Sequence, residues 1–70
     1  MRPGLYEHYK GKSYEVLGVA RHSETLVYLV VYRARYGKQA LWVRPRKMFE
    51  GYVRVQGKRI KRFTFLRRAK

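Results

Sequence analysis

The chain has 70 residues, 46% of them hydrophobic and none of them cysteine, and its 18 Lys and Arg against four Glu give a formal net charge of +14. It is long enough for one domain and too rich in apolar side chains for a disordered segment, and it can form neither a disulfide nor a thiolate metal site. Self-repulsion on this scale exceeds what the solubility of a small domain needs, so a polyanionic partner is favoured.

No repeat, low-complexity tract or Pro/Gly/Ser linker divides the sequence. We therefore expect a single domain over residues 1–70, with an ordered core at about 4–65 and a basic C-terminal tail at 66–70. The first residues contain no apolar leader, and no later run approaches the roughly eighteen apolar residues of a spanning helix. These features predict a cytoplasmic protein without a membrane segment.

Alternation of apolar and polar residues between turn signals predicts short strands along the chain. In chain order, the predicted strands cover 5–9, 13–20, 26–32, 40–44, 52–55 and 58–65. Gly18 indicates a bulge or bend, and Gln56-Gly57 indicates the tight turn of a hairpin. The segment 26–32 is apolar on both of its faces, which predicts a central strand buried on both sides.

One short helical turn is expected at 46–49, directly after Pro45, which cannot donate to a strand ladder and so ends the preceding strand. No segment has a long helical period. The prediction is a mainly β fold of five to six short strands, arranged as a small, strongly bent sheet or a barrel of the SH3-like or OB-like kind. Periodicity alone leaves both barrel types open.

Several ordered motifs resemble those of the small bacterial domain-of-unknown-function 1653 (DUF1653) family. They are GLYEHYKG at 4–11, VLGVARHSET at 16–25, LVVY at 29–32, YG at 36–37, LWVRPRKMF at 41–49 and GKRIKRF at 57–63. The resemblance implies an SH3-like β-barrel and no particular activity. The sequence departs from the family at Lys38, Arg46 and Lys47, where glutamate is common, so the resemblance does not account for the positive charge.

Basic residues interleaved with aromatic ones are the strongest functional pattern, because cations neutralise phosphates while aromatic faces stack on unpaired bases. The C-terminal half carries most of the charge, since residues 36–70 hold twelve basic side chains and one acidic one. The predicted contact residues are Arg33, Arg35, Tyr36, Lys38, Trp42, Arg44, Arg46, Lys47, Arg54, Lys58, Arg59, Lys61 and Arg62, with Tyr52 on the same hairpin face as Arg54.

The position of Trp42 between Leu41 and Val43 is more typical of a core side chain than of a stacking platform. Tyr28 and Tyr32 alternate with Val30 along one face of a strand, which also favours the core. Arg59, Lys61 and Arg62 are expected to be solvent-facing positions of the last hairpin.

Acid–base and metal chemistry have few residues to draw on, namely two histidines and four glutamates, without metal-ligand spacing. We expect no metal, no cofactor and no enzymatic activity. The enzymatic alternative is an RNA-cleaving toxin-like protein that would use Arg21, His22 and Tyr36 to stabilise a pentavalent phosphorus state.

Nucleic acid, RNA or DNA, is the predicted partner, bound with little sequence specificity and with RNA or single strands slightly preferred. The alternative is an SH3-like protein-interaction module with an acidic partner, in which Tyr28, Tyr32, Tyr36 and Trp42 dock a peptide.

Overall fold

Antiparallel strands form most of the molecule, which a computed structural model describes at residues 1–35, 37 and 40–69. These residues form seven strands and one helical turn. In chain order they are β1 Gly4–His8, β2 Ser13–Arg21, β3 Tyr28–Ala34, β4 Leu41–Pro45, α1 Arg46–Phe49, β5 Tyr52–Val55, β6 Lys58–Lys61 and β7 Phe63–Arg67. The prediction of a mainly β fold with one short helical turn is confirmed.

The strands form two antiparallel sheets. Five strands pair in the order β4-β3-β2-β1-β7, and β5 and β6 pair with each other as a separate hairpin. In the described part of the chain the larger sheet does not close on itself, so β4 and β7 are its edges. The predicted SH3-like barrel is therefore not closed in these residues, which form an open, bent sheet with a hairpin attached to it.

The strand predicted at 58–65 is divided at Arg62, which is why seven strands are found. The Arg62 backbone N–H donates to the Gly51 carbonyl (3.1 Å), and the Arg62 carbonyl accepts from the Tyr9 N–H (2.9 Å). Phe63 then pairs with His8 on β1. The chain thus leaves the hairpin and joins the larger sheet within one residue.

A bulge in β2 bends the larger sheet where the sequence predicts it. The register between β2 and β3 shifts between Val16 and Gly18, so Leu17 is an extra residue on β2. An extra residue on one strand increases the local twist of a sheet. The inner, concave face of this bend carries the core.

The core is aromatic and lies between the inner face and α1. Val16, Val30 and Phe49 are its most completely buried side chains, and the Tyr6 and Phe63 rings pack beside them. Burial raises the pKa of Tyr6, whose hydroxyl donates to the Arg2 carbonyl at 2.7 Å. This hydrogen bond fixes the N-terminal segment to the core.

Strand β3 differs from the prediction in its start and in its burial. It begins at Tyr28, because Leu26 adopts a left-handed conformation (φ 65°) in the preceding turn. Leu29 and Val31, on the outer face, are only half-buried. The prediction of burial on both sides was wrong because α1 packs on the inner face of the sheet, opposite to the face that carries Leu29 and Val31.

Among the described residues, no helix is both long and apolar enough to cross a membrane.

Candidate nucleic-acid interface

The β5–β6 hairpin presents a cationic face that the sequence predicts. Tyr52 lies opposite Lys61 and Arg54 lies opposite Arg59, so these four side chains share one face. All four are exposed, and Val53 alone among the eight strand residues is half-buried. The hairpin is therefore a ribbon whose side chains are open to solvent along most of its length.

The turn of this hairpin keeps the four side chains in register. Gln56 and Gly57 have φ values of 50° and 79°. Positive φ at both central residues is the mark of a type I′ turn, whose twist matches that of the flanking strands. A two-residue turn of this kind permits one register only, so the positions of Arg54 and Arg59 follow directly from the turn.

The cations of the hairpin face are not held in ion pairs in the described part of the chain, although Glu50 lines the same cavity as Tyr52 and Lys61. The Arg59 guanidinium carbon lies 4.4 Å from the centre of the Tyr52 ring, in a cation–π contact. No ion pair within the described residues involves Arg54, Arg59 or Lys61. The face therefore combines an exposed ring with three cations available to an anion.

Three other predicted contact residues form ion pairs with carboxylates. Arg33 and Arg35 lie 3.2 and 3.5 Å from the same Glu15 oxygen, and Arg46 lies 3.2 Å from Glu50 one helical turn away. Each guanidinium remains exposed, but part of its field is cancelled by its partner. We therefore place these arginines outside the main candidate face.

Trp42 is exposed, contrary to the core position that its neighbours favour. It lies opposite Tyr32 on the inner face of β4, and its exposed fraction is 57%. Because β4 is an edge strand, Trp42 is flanked by another strand on one side only. Arg44 lies two residues further along the same face, with its guanidinium carbon 5.9 Å from the Phe63 ring centre.

The remaining predicted residues that the structure describes are dispersed. Lys47 is exposed on α1, and Lys58 lies opposite Val55 on the other face of the hairpin. Arg62 is half-buried, so its solvent-facing assignment was wrong, because the bend between the two sheets turns it inward. Tyr36 and Lys38 lie outside the described residues.

His8 and Lys10 stand near Arg44 and Arg62 and were missed by sequence reasoning. Burial lowers the pKa of His8, and the charges of Arg62, Arg44 and Lys10 lower it further. Alternation along β1 would have placed His8 on the inner face with Tyr6. Its approach to Arg44 and Arg62 depends on the pairing of β1 with β7 and on the bend, which no local pattern indicates.

The described members of the aromatic set expected to dock a peptide do not form one surface. Tyr32 is buried, whereas Tyr28 and Trp42 are exposed at separate places on the sheet. Tyr36 of this set is outside the described part of the chain.

The residues considered for RNA cleavage have structural partners. His22 Nδ1 accepts hydrogen bonds from the backbone N–H groups of Glu24 (3.1 Å) and Thr25 (3.2 Å), and Arg21 lies over the Tyr28 ring. His22 therefore organises its turn. In the described residues no three His, Asp or Glu side chains come together as a metal site.

Fold and surface together define a small, mainly β domain with an exposed cationic hairpin. The family model described as "Protein of unknown function (DUF1653)" matches residues 4–65. The chain therefore belongs to the DUF1653 family, which confirms the resemblance of its motifs.

A solved structure agrees with this assignment. The chain is 32% identical to a DUF1653 protein from Bordetella bronchiseptica, whose crystal structure matches with a TM-score of 0.89 over 100% of this chain and 92% of that one. No curated protein matches the chain.

Proposed function

We propose that this domain binds nucleic acid, largely independently of sequence, through the hairpin face of Tyr52, Arg54, Arg59 and Lys61. The observation that carries the proposal is the exposed guanidinium of Arg59 held over the Tyr52 ring, beside two further unpaired cations. Arginine and lysine neutralise phosphates and release condensed counterions, a contribution that does not depend on base sequence.

The tyrosine favours single strands. A base–aromatic stack is worth about 1–3 kcal/mol and requires an unpaired base. Tyr52 is half exposed (49%). The Arg59 guanidinium lies over the Tyr52 ring, where it can reach the phosphate of a stacked nucleotide. A single nucleic-acid strand that lies along the hairpin would then also contact Arg54 and Lys61 on the same face.

The charge of the whole chain supports the same partner. Arg54, Lys58, Arg59, Lys61 and Arg62 lie within nine residues of sequence that contain no acidic side chain. A positive field of this kind attracts polyanions before contact is made. An acidic protein would be attracted in the same way, but Tyr28, Tyr32 and Trp42, the described members of the aromatic set proposed to dock it, do not gather at one place.

Fluorescence anisotropy tests the proposal, with labelled single-stranded RNA, single-stranded DNA, duplex DNA and heparin, each at 50 and 200 mM salt. If about five phosphates of a single strand are neutralised, fourfold more salt lowers the affinity roughly a hundredfold. Arg59→Glu should weaken single-strand binding roughly tenfold and reduce the salt slope by about one.

Arg21→Glu is the matched control, because Arg21 is also exposed and also lies over a tyrosine, at 4.8 Å from the Tyr28 ring centre. The two variants change the net charge equally. A much larger loss in Arg59→Glu supports the hairpin face. Equal losses, or equal affinity for heparin and for RNA in every variant, would contradict a located nucleic-acid surface.

A further inference from the structure

A second group of cations surrounds His8 at the junction between β1, β4 and β7. The His8 and Phe63 ring centres are 4.9 Å apart, and the Arg44 guanidinium carbon lies 5.9 Å from the same Phe63 ring. Arg62 directly precedes Phe63, and Lys10 reaches the Tyr9 ring beside His8. This cluster lies apart from the hairpin face, on the larger sheet and at the bend that leads into it.

Negative charge does not compensate this cluster within the described residues. Glu15 is bonded to Arg33 and Arg35, and Glu50 is bonded to Arg46. Glu7 adjoins His8 in sequence but alternates to the outer face, where it pairs with Ser13 and Thr64. Glu24 belongs to the distant turn that His22 organises.

An unmet hydrogen-bond donor marks the same place. The Nε atom of Arg62 is buried and has no hydrogen-bond partner among the described atoms. Buried donors in folded proteins almost always have an acceptor, and leaving a charged donor unpaired is costly. Because Nε is enclosed by protein atoms, an oxygen atom of a bound anion would supply the missing acceptor once a neighbouring side chain moves aside.

His8 can act as a donor to the same anion. Its Nδ1 accepts the Lys10 backbone N–H at 3.1 Å, so the neutral ring carries its proton on Nε2. Burial and the three neighbouring cations together lower the His8 pKa, which favours the neutral ring with Nε2 as an N–H donor.

We propose that His8, Lys10, Arg44 and Arg62 form a binding site for one phosphate group of a nucleic-acid strand. The choice of a nucleic acid as the source of the phosphate rests on the proposed function, whereas the anion site rests on the cluster itself. Trp42 lies on the same face of β4 as Arg44, two residues or about 6.6 Å away, where it can stack on the base of the bound nucleotide.

Histidine side-chain NMR tests the site directly, because the titration of His8 can be followed while the ring resonances of His22 are recorded in the same spectra. A bound phosphate opposes the field of the three cations, so the pKa of His8 should rise by half a unit or more when inorganic phosphate or a short oligouridylate saturates the protein. The ring resonances of His22 serve as the internal control and should not shift when either ligand is added.

Two variants localise the effect. Arg44→Gln should abolish most of the phosphate-induced shift, and Arg62→Lys, which keeps the charge but lacks Nε, should reduce it. Arg21→Glu, which leaves both the cluster and the hairpin face intact, should preserve the shift. Circular dichroism of each variant verifies that it is folded, and Arg44→Gln provides the test if Arg62→Lys does not fold.

The outcomes separate the two proposals. Oligouridylate that binds by anisotropy and leaves the His8 pKa unchanged overturns this site and leaves the hairpin proposal standing. A His8 shift with inorganic phosphate, without any binding of oligouridylate, supports the site and overturns the nucleic-acid source. A shift of the same size in Arg44→Gln and in the parent protein also overturns the site.

Discussion

The rings of Phe49 and Phe63 stack face to face, 3.9 Å apart and within 3° of parallel. Phe49 belongs to α1 and is almost completely buried, whereas Phe63 begins β7 immediately after the bend at Arg62. The stack therefore joins the helical turn to the strand that directly follows Arg62 of the proposed phosphate site.

We expect Phe49→Ala to destabilise the fold by about 3–5 kcal/mol, because it removes a buried ring and leaves a cavity. Phe49→Leu should cost much less, since it retains most of the apolar volume. Urea unfolding monitored by circular dichroism measures both. Leu41→Ala, at an exposed position of β4, is the control and should change stability by less than about 0.5 kcal/mol. Equal effects at Phe49 and Leu41 would refute the assignment of the core.

Gly4→Ala should be strongly destabilising, by about 2 kcal/mol or more, for two combined reasons. Gly4 has a φ of 145°, and an added Cβ would lie 2.7 Å from the Arg67 carbonyl oxygen and 2.8 Å from the Phe65 ring. Gly11→Ala separates these reasons, because Gly11 also has a positive φ (102°) but has no atom near its Cβ position. In thermal unfolding, the melting temperature of Gly4→Ala should be well below that of Gly11→Ala. The reverse order would contradict the close approach of β7 to Gly4.

Trp42→Ala should weaken single-strand binding by about 1–3 kcal/mol, the usual value for one stacked base. Its effect on stability should stay within about 0.5 kcal/mol, because more than half of the side chain is exposed. Trp42 is the single tryptophan, so its fluorescence reports the contact without a label. Tyr28→Ala, another exposed aromatic change on the same sheet, should leave binding unaltered. Unchanged Trp42 fluorescence on saturation would argue against the stacking role.

Stability should depend on His8 at mildly acidic pH. Because the folded-state pKa of His8 is below the unfolded value of about 6.5, the unfolded chain binds more protons between the two values. The contribution of His8 to the free energy of unfolding is therefore complete above about pH 6.5. It is lost as the pH falls through the folded-state pKa of His8. Urea midpoints of the parent protein should decrease from pH 7.5 towards pH 5.5, and those of His8→Gln should decrease less. Parallel curves for the two proteins would contradict the prediction.

Local patterns in the sequence predict much of the fold because the strands are short and bounded by turns. The bulge at Gly18, the helical turn at 46–49 and the Gln56-Gly57 turn all depend on neighbouring residues, and all three are found. The hairpin face follows from the alternation of Tyr52 and Arg54 alone. In each case the deciding interactions lie within a few residues along the chain.

Features that depend on long-range pairing could not be predicted in the same way. Arg62 lies at a bend because its backbone N–H donates to the Gly51 carbonyl and its own carbonyl accepts from the Tyr9 N–H. Both partners are distant from Arg62 in sequence. The exposure of Trp42 depends on β4 being an edge strand, which is a property of the sheet order. The cluster around His8 depends on both the long-range backbone pairing and the sheet order, so no local pattern in the sequence predicts it.

The outer side of β4 makes the solubility of the protein depend on its charge. Leu41 and Val43 are exposed there on an edge strand, 62% and 57% respectively, next to the half-buried Val31. Exposed apolar edges promote contact between copies of a chain, whereas a charge of +14 keeps the copies apart. Salt or a polyanion that screens this charge removes the barrier to contact. Concentrated mixtures with nucleic acid near charge balance should therefore become turbid at protein concentrations where the protein alone stays clear.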